Sequence, residues 1–467
     1  MNLVLIVSDT LRWDYLGAYG NSWIHTPNLD ALARESAVFL EAFAEGLPTI
    51  PARRVIWTGR PIFPFAYRPQ AGDGVQLHGW HPLFDEDVTL GEHLQKHNYV
   101  CALVNDVYHM MKPGKNFHRG FDQWFWIRGQ EGDPYALPDR SLVEEDLARA
   151  MGRRKVADRA WVIRHLILRR RWRSDADTSV AQVMRRAADW VKEYTMPNPF
   201  YLHVECFDPH EPWDPPLEYA RRYDPAFEEL EGMMPPGRVG EMTPKQFKDA
   251  RTAYAGEVTL VDRWAGHLLD TLRQAGRMKD TLIVFTSDHG CMMGEREEVH
   301  KGQDRLRNQC TQLPLIIRHP AGEAAGARIS GFCQHQDIMP TALALMDLPA
   351  PERCLGRNLW PQAHGQDGAP EAVVSAFGRF ASYRTKKWNY VCPWTKVPQT
   401  NARWELYDLE RDPQELENVF EQHRDAAAQL AARLEAHIKK WAPRTQGSFQ
   451  SPGEGQEFSF DALPRFD

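Results

Sequence analysis

Short runs of β-branched and large apolar residues recur along this chain with amphipathic stretches between them. That alternation limits the architecture more than any other feature. Residues 3–7, 102–105, 200–206, 281–286 and 313–318 are the strand candidates. Residues 28–35, 90–97, 179–193 and 252–275 carry helical apolar spacing. Near-continuous apolar strands separated by helices describe an α/β fold, a large and mainly parallel sheet flanked by helices. Ligands of such sheets gather at the carboxyl ends of strands. Asp9 and Asp288 each stand just past such an end.

After about residue 350 the texture changes. Short strand candidates at 373–376, 380–384, 388–391 and 404–407 precede an amphipathic helix at 421–441, which describes a small antiparallel sheet packed by one helix. The expected division is a catalytic unit over 1–349, a small C-terminal α+β unit over 350–447, and a Gly/Pro/Ser-rich tail over 448–467. The tail is expected to be disordered or an arm that contacts a neighbouring subunit, making a homo-oligomer.

A net charge of −7 gives no overall footprint for nucleic acid. The local run Arg169, Arg170, Arg171 and Arg173 reads as a solvated helix face or subunit contact, with an anion contact as the alternative. Seven cysteines in an odd, scattered set without a Cys-x-x-Cys pair fit reduced thiols. The apolar run behind Met1-Asn2 is too short for a leader or a membrane span and reads as a buried first strand. A cytoplasmic protein without a membrane partner is the expectation.

Three segments carry chemistry. In Ser8-Asp9-Thr10, a carboxylate at a strand tip serves either a cation or a turn. In Ser287-Asp288-His289-Gly290, carboxylate and imidazole side by side would turn onto one cation, and oxygen plus nitrogen donors favour Mn²⁺ or Zn²⁺, with Ca²⁺ still open. A strand-end turn with a surface histidine is the alternative. In Thr49-Ile50-Pro51-Ala52-Arg53, a hydroxyl before a proline-started helix sits where an anion is favoured, and Arg53 reaches back to it from the next turn. A plain threonine cap fits the same residues. Trp124, Phe125 and Trp126 read as core packing.

Together these segments resemble the sulfatase branch of the alkaline phosphatase superfamily. Val7–Arg12, Leu16–Gly20, Thr26–Asp30, Thr49–Arg60, Gly120–Asp122, Phe207–Trp213, Ser287–Gly290, Glu405–Leu409, Asp412-Pro413 and Glu417-Asn418 match that family's words in its order. The resemblance implies an alkaline phosphatase-like fold. It implies a metal held by Asp9, Asp288, His289 and Thr49, and catalysis by Thr49, Arg53, His210 and Lys301, with His109 a less certain counterpart. Thr10, His300 and Lys301 would meet the substrate. His335 is a weaker candidate, and Asp337 suggests a cap. Asp208, His210 and His300 are candidates for a second metal, with Asp208 better read as a loop brace.

The departures from the family pattern decide the chemistry expected. Sulfatases carry Cys or Ser where this chain has Thr49, and oxidise it to formylglycine; oxidation of a secondary alcohol gives a ketone, so formylglycine is not expected. Thr10 replaces a frequent Asp, and Asp288-His289 replaces Asp-Asn, a set similar to phosphonate monoester hydrolases and phosphodiesterases. Asn105–His109 replaces the usual Gly-Lys-Trp-His segment and removes a lysine. The expectation is a metal-dependent hydrolase of small phosphate or phosphonate esters acting through covalent Thr49. A sulfatase without formylglycine and a non-catalytic metal- or anion-binding member are the alternatives.

Overall fold

The computed structural model describes residues 1–69, 75–151, 159–230, 232–398 and 403–448. The tail expected to reach a neighbour lies, from residue 449, outside the described residues.

Nine strands form the main sheet. Its order is Arg328–Ile329, Ala37–Phe43, Gln312–Arg318, Thr281–Ser287, Asn2–Ser8, Phe200–Cys206, Val100–Asn105, Gln123–Trp126, and Cys333–Gln334 also pairs with Ala37–Phe43. Only Gln312–Arg318 runs against its neighbours. All five strands expected from apolar runs are present, and Asn2–Ser8 lies between Thr281–Ser287 and Phe200–Cys206.

Four strands escaped the apolar pattern, two of them, Arg328–Ile329 and Cys333–Gln334, only two residues long. Ala37–Phe43 is interrupted by Glu41 and is only partly buried. Gln123–Trp126 forms one edge of the sheet, which corrects the expectation of core packing for Trp124, while Phe125 packs against the core half-buried. Trp124 is 50% exposed, while Arg186 covers Phe125 and Arg128 covers Trp126, each guanidinium 4.1 Å from the ring centre. Edge position explains this, since a rim strand has no second neighbour to bury it.

Side chains of alternate parity divide between two cores, as pleating requires. Val4, Ile6, Val204 and Phe285 pack against helices Ser179–Glu193 and Pro244–Gln274. Leu3, Leu5, Val7, Tyr201 and Val284 pack on the other face, against helices Thr49–Thr58, Leu90–Lys96 and Ile338–Leu345. The long helix starts eight residues before its expected first residue, because Thr243 caps it in a reciprocal box with Gln246 and Pro244 occupies its first turn.

The C-terminal strands Ala372–Phe377, Phe380–Thr385, Trp388–Pro393 and Glu405–Asp408 form an antiparallel meander. Helix Arg424–Trp441 lays Ala427, Leu430 and Leu434 on it. A fifth strand, Gly46–Leu47, joins this sheet parallel to Ala372–Phe377. It ends two residues before Thr49, so the small sheet continues across the expected division at 349/350. The basic run is held locally: Arg169 pairs with Asp214 and Glu229, Arg170 with Asp146, and Arg171 lies over Tyr135.

Candidate functional site

The site grows from two neighbouring strand ends. Ser8 pairs with Ser287 in parallel register, so Asp9 and Asp288 leave the sheet side by side. Asp9, Asp288 and His289 are all 0% exposed. One ligand atom from each lies within 4.8 Å of the others, the one such group among the described residues. Thr10 clamps the pair: its hydroxyl donates to Asp9 Oδ1 at 2.7 Å and its backbone N–H to Asp288 Oδ1 at 2.9 Å. Its φ of 60° is costly for a β-branched residue and is held by those bonds.

Helix Thr49–Thr58 brings its N-terminus and Arg53 to this point. Thr49 is the first helical residue and Pro48 takes the capping place, which corrects the reading of Thr49 as a cap. Arg53 is fully buried and spans three carboxylates. Its Nη2 is 3.1 Å from Asp9 Oδ2, its Nη1 contacts Asp288 Oδ2, and its Nε donates to Glu205 Oε2 at 2.8 Å.

These residues fit a divalent cation. Three buried carboxylates face one guanidinium, an excess of two negative charges. Asp9 Oδ2 and His289 Nε2 are buried without a hydrogen-bond partner. His289 Nδ1–H donates to the Gly290 carbonyl at 2.9 Å, which leaves the Nε2 lone pair for a ligand. Burial, only partly opposed by Asp9, pushes the imidazole down to about 3, so it is neutral. Burial raises Asp9, but Arg53, His210, His289 and Lys301 outweigh it and hold this carboxyl below the usual range. Without a cation, burial pushes Asp288 up to about 8 against the pull of Arg53.

His210 and Lys301 form the opposite wall. Lys301 Nζ is 2.5 Å from His210 Nε2, and His210 Nδ1 is 2.6 Å from the Glu211 carbonyl. The ammonium therefore donates to Nε2, and Nδ1 carries the imidazole proton. Burial, with Lys301 beside it, lowers His210. Glu211 lies 3.7 Å from both Lys301 and His300 and holds Lys301 charged against the cost of burial. His300 stacks on Trp213 and its Nε2 meets the Pro235 carbonyl at 2.8 Å.

Of the residues expected from sequence, Asp9, Thr10, Asp288, His289, Arg53, His210 and Lys301 are brought together. His109 stands on the short helix Tyr108–Met111, where its backbone N–H donates to Glu131 at 2.8 Å, its ring Nε2 is 3.6 Å from the same carboxyl, and Trp80 lies against its ring. Asp208 accepts Gln130 Nε2 and the Val180 N–H. It braces the loop and forms no second metal group with His210 and His300 among the described residues. His335 is buried with Nε2 at the Ser287 carbonyl, and Asp337 accepts the Gln334 and Arg357 N–H groups.

Sequence reading missed Glu205, His203, Glu131 and Glu211. Glu211 lies inside the quoted Phe207–Trp213 segment. Tyr201, His203 and Glu205 alternate as polar residues on a strand that is buried throughout, a signal that was available.

Comparison with known proteins agrees with this geometry. The family model described as Sulfatase matches residues 1–348. The model for the N-sulphoglucosamine sulphohydrolase C-terminal region matches residues 303–442. An arylsulfatase of Clostridium perfringens is 26% identical over 459 residues, covering 90% of each chain. The multifunctional alkaline phosphatase superfamily protein PehA of Trinickia caryophylli is 25% identical, covering 77% of this chain and 76% of its own. The phosphonate monoester hydrolase of Agrobacterium radiobacter shares the fold, with a TM-score of 0.71 at 22% identity, over 95% of this chain and 96% of that one. The chain belongs to the sulfatase family of the alkaline phosphatase superfamily and is an ester hydrolase.

Proposed function

We propose that this chain hydrolyses phosphate or phosphonate esters of small molecules through a covalent Thr49 intermediate. The observation that carries the reading is a threonine at the head of the Arg53 helix. A secondary alcohol gives no aldehyde on oxidation, so the formylglycine exit by hemiacetal collapse is closed. Ester cleavage then proceeds at the central atom itself.

Asp9, Asp288 and His289, with Thr49, would hold one divalent cation, and their mixed donors favour Mn²⁺ or Zn²⁺ over Ca²⁺. Bound there, it would lower the pKa of the Thr49 hydroxyl and neutralise charge on the ester. Arg53 and Lys301 hold the non-bridging oxygens as charge builds. Thr49 releases its hydroxyl proton to solvent and its Oγ forms a bond to phosphorus while the bond to the leaving oxygen breaks; the Lys301 ammonium, beside His210, supplies the proton that oxygen takes. Water then attacks phosphorus, a water proton returns to the Lys301–His210 pair, and the Thr49 Oγ–phosphorus bond breaks, the threonine regaining a proton from solvent. Thr10 and His300 border the substrate, and His109, its ring 3.6 Å from Glu131, is the alternative proton donor to the leaving oxygen. The seven free thiols suit a reducing compartment, and we place the protein in the cytoplasm. No helix among the described residues is long and apolar enough to cross a membrane.

A second reading, direct cleavage of sulfate esters from Thr49, is supported by the arylsulfatase relative. Turnover of matched aryl phosphate, phosphate diester, phosphonate monoester and sulfate by enzyme reconstituted with Mn²⁺, Zn²⁺ or Ca²⁺ separates the two. Faster phospho-ester cleavage is expected, lost at least about a thousandfold in Thr49→Ala. Faster sulfate cleavage overturns the substrate class. Full activity of Thr49→Ala overturns the nucleophile.

A further inference from the structure

Arg53 contacts more than the metal group. Its Nε is committed to Glu205 Oε2 at 2.8 Å. The other oxygen, Glu205 Oε1, is 2.8 Å from His203 Nε2, and His203 Nδ1 is 2.8 Å from the Tyr201 hydroxyl. Trp57 Nε1 lies 3.3 Å from His203 Nε2, with its ring edge-on to the imidazole. All five side chains are at most 1% exposed. The Glu205 carboxylate can only accept, so His203 Nε2–H donates to it and the Tyr201 hydroxyl donates to Nδ1, while the Trp57 indole, itself a donor, meets the imidazole as a ring contact; Glu205 stays an anion facing Arg53. Burial raises the Glu205 carboxyl, but Arg53 and His203 outweigh it.

The spacing explains why two elements meet at two points. Arg53 and Trp57 are one helical turn apart, about 6 Å along the helix axis. Glu205 and His203 are two residues apart on the strand, about 6.6 Å. The helix and strand therefore match at both contacts at once.

We propose that Glu205, backed by His203, is a positioning residue that sets the register of the Thr49 helix on the sheet and turns the Arg53 guanidinium onto Asp9 and Asp288. This rests on the roles given above to Thr49 and Arg53, and is independent of whether the ester is a phosphate or a sulfate. Glu205 also takes up part of the Arg53 charge. With the carboxylate gone, that charge falls wholly on Asp9 and Asp288 and competes with a cation for them.

The test uses the full chain as wild type, Glu205→Gln, His203→Gln and Thr49→Ala. Mn²⁺ binding is read by calorimetry, kcat and KM at saturating metal on the best ester, and folding by thermal melts. Glu205→Gln is expected to weaken Mn²⁺ binding about tenfold and lower kcat about thirtyfold with KM within about threefold. His203→Gln, which keeps the carboxylate, should lower kcat less and leave Mn²⁺ binding within about twofold. Both should remain folded at assay temperature. Wild-type Mn²⁺ affinity and kcat in Glu205→Gln overturn the proposal while Thr49→Ala stays inactive. An active Thr49→Ala instead overturns the nucleophile reading. If Glu205→Gln fails to fold, His203→Gln decides: a lower melting temperature with wild-type kcat makes the pair merely structural.

Discussion

Asp9, Arg53, Glu205 and Asp288 have no solvent exposure and stand in one contact group, where one guanidinium offsets only part of the charge of three carboxylates and the excess calls for a cation. Glu131 follows a different rule. It accepts the His109 N–H, and its φ of 55° lies in the left-handed region. Burial, opposed by the His109 N–H and Arg53 and aided by repulsion from Asp9, pushes this carboxyl up to about 8. The native state thus holds the proton more tightly than the unfolded chain, whose glutamate titrates near about 4.3. The stabilisation is complete below that unfolded value and is lost as pH rises to about 8. Glu131→Gln keeps an acceptor for His109 and does not ionise. Between about pH 5 and pH 8 its melting temperature should therefore fall less than that of wild type. Parallel curves would show that Glu131 has the same pKa in the folded and the unfolded chain.

At the scale of the element, the helix that carries Thr49 is bounded by glycine for a definite reason. Gly59 has φ 62°, its N–H bonds the Val55 carbonyl at 3.0 Å, and its own carbonyl accepts the Leu355 and Gly356 N–H groups. An added Cβ there would collide with Cys354 Sγ. Gly59→Ala should cost about 1–3 kcal/mol, from left-handed strain plus the collision. A denaturant melt checks this, and a loss of unfolding free energy below about 0.5 kcal/mol would contradict it. Helix starts were legible where caps are local: Thr89 with Glu92 marks one such start within three residues. The Thr49 helix was misjudged by one position because Pro48, not Thr49, sits at its cap.

The molecule as a whole is tied across its two sheets. Gly46–Leu47 completes the C-terminal sheet just ahead of Thr49. Arg307 is 3.1 Å from Glu405 and 3.2 Å from the Tyr407 hydroxyl, and it also contacts Glu298. Glu415 is fully buried between Arg384, Asn389 and the Asn308 N–H. A chain ended after residue 349 would take Glu405 and Tyr407 from Arg307 and the neighbouring strand from the Gly46–Leu47 edge. It is expected to be inactive and to expose apolar surface, read by dye binding and by loss of the cooperative melt. A truncated chain with full activity would show that 1–349 stands alone. The sequence by itself determined the α/β class, the central strands and the residues at their ends, because apolar periodicity and strand-end motifs are properties of neighbours along the chain. Only the tertiary structure decided that Glu205 answers Arg53 across 152 positions, that the His109 backbone N–H meets Glu131, and that Gly46–Leu47 joins the small sheet. Those outcomes depend on which elements become neighbours in space, and a buried charge shows its partner only after packing has excluded water.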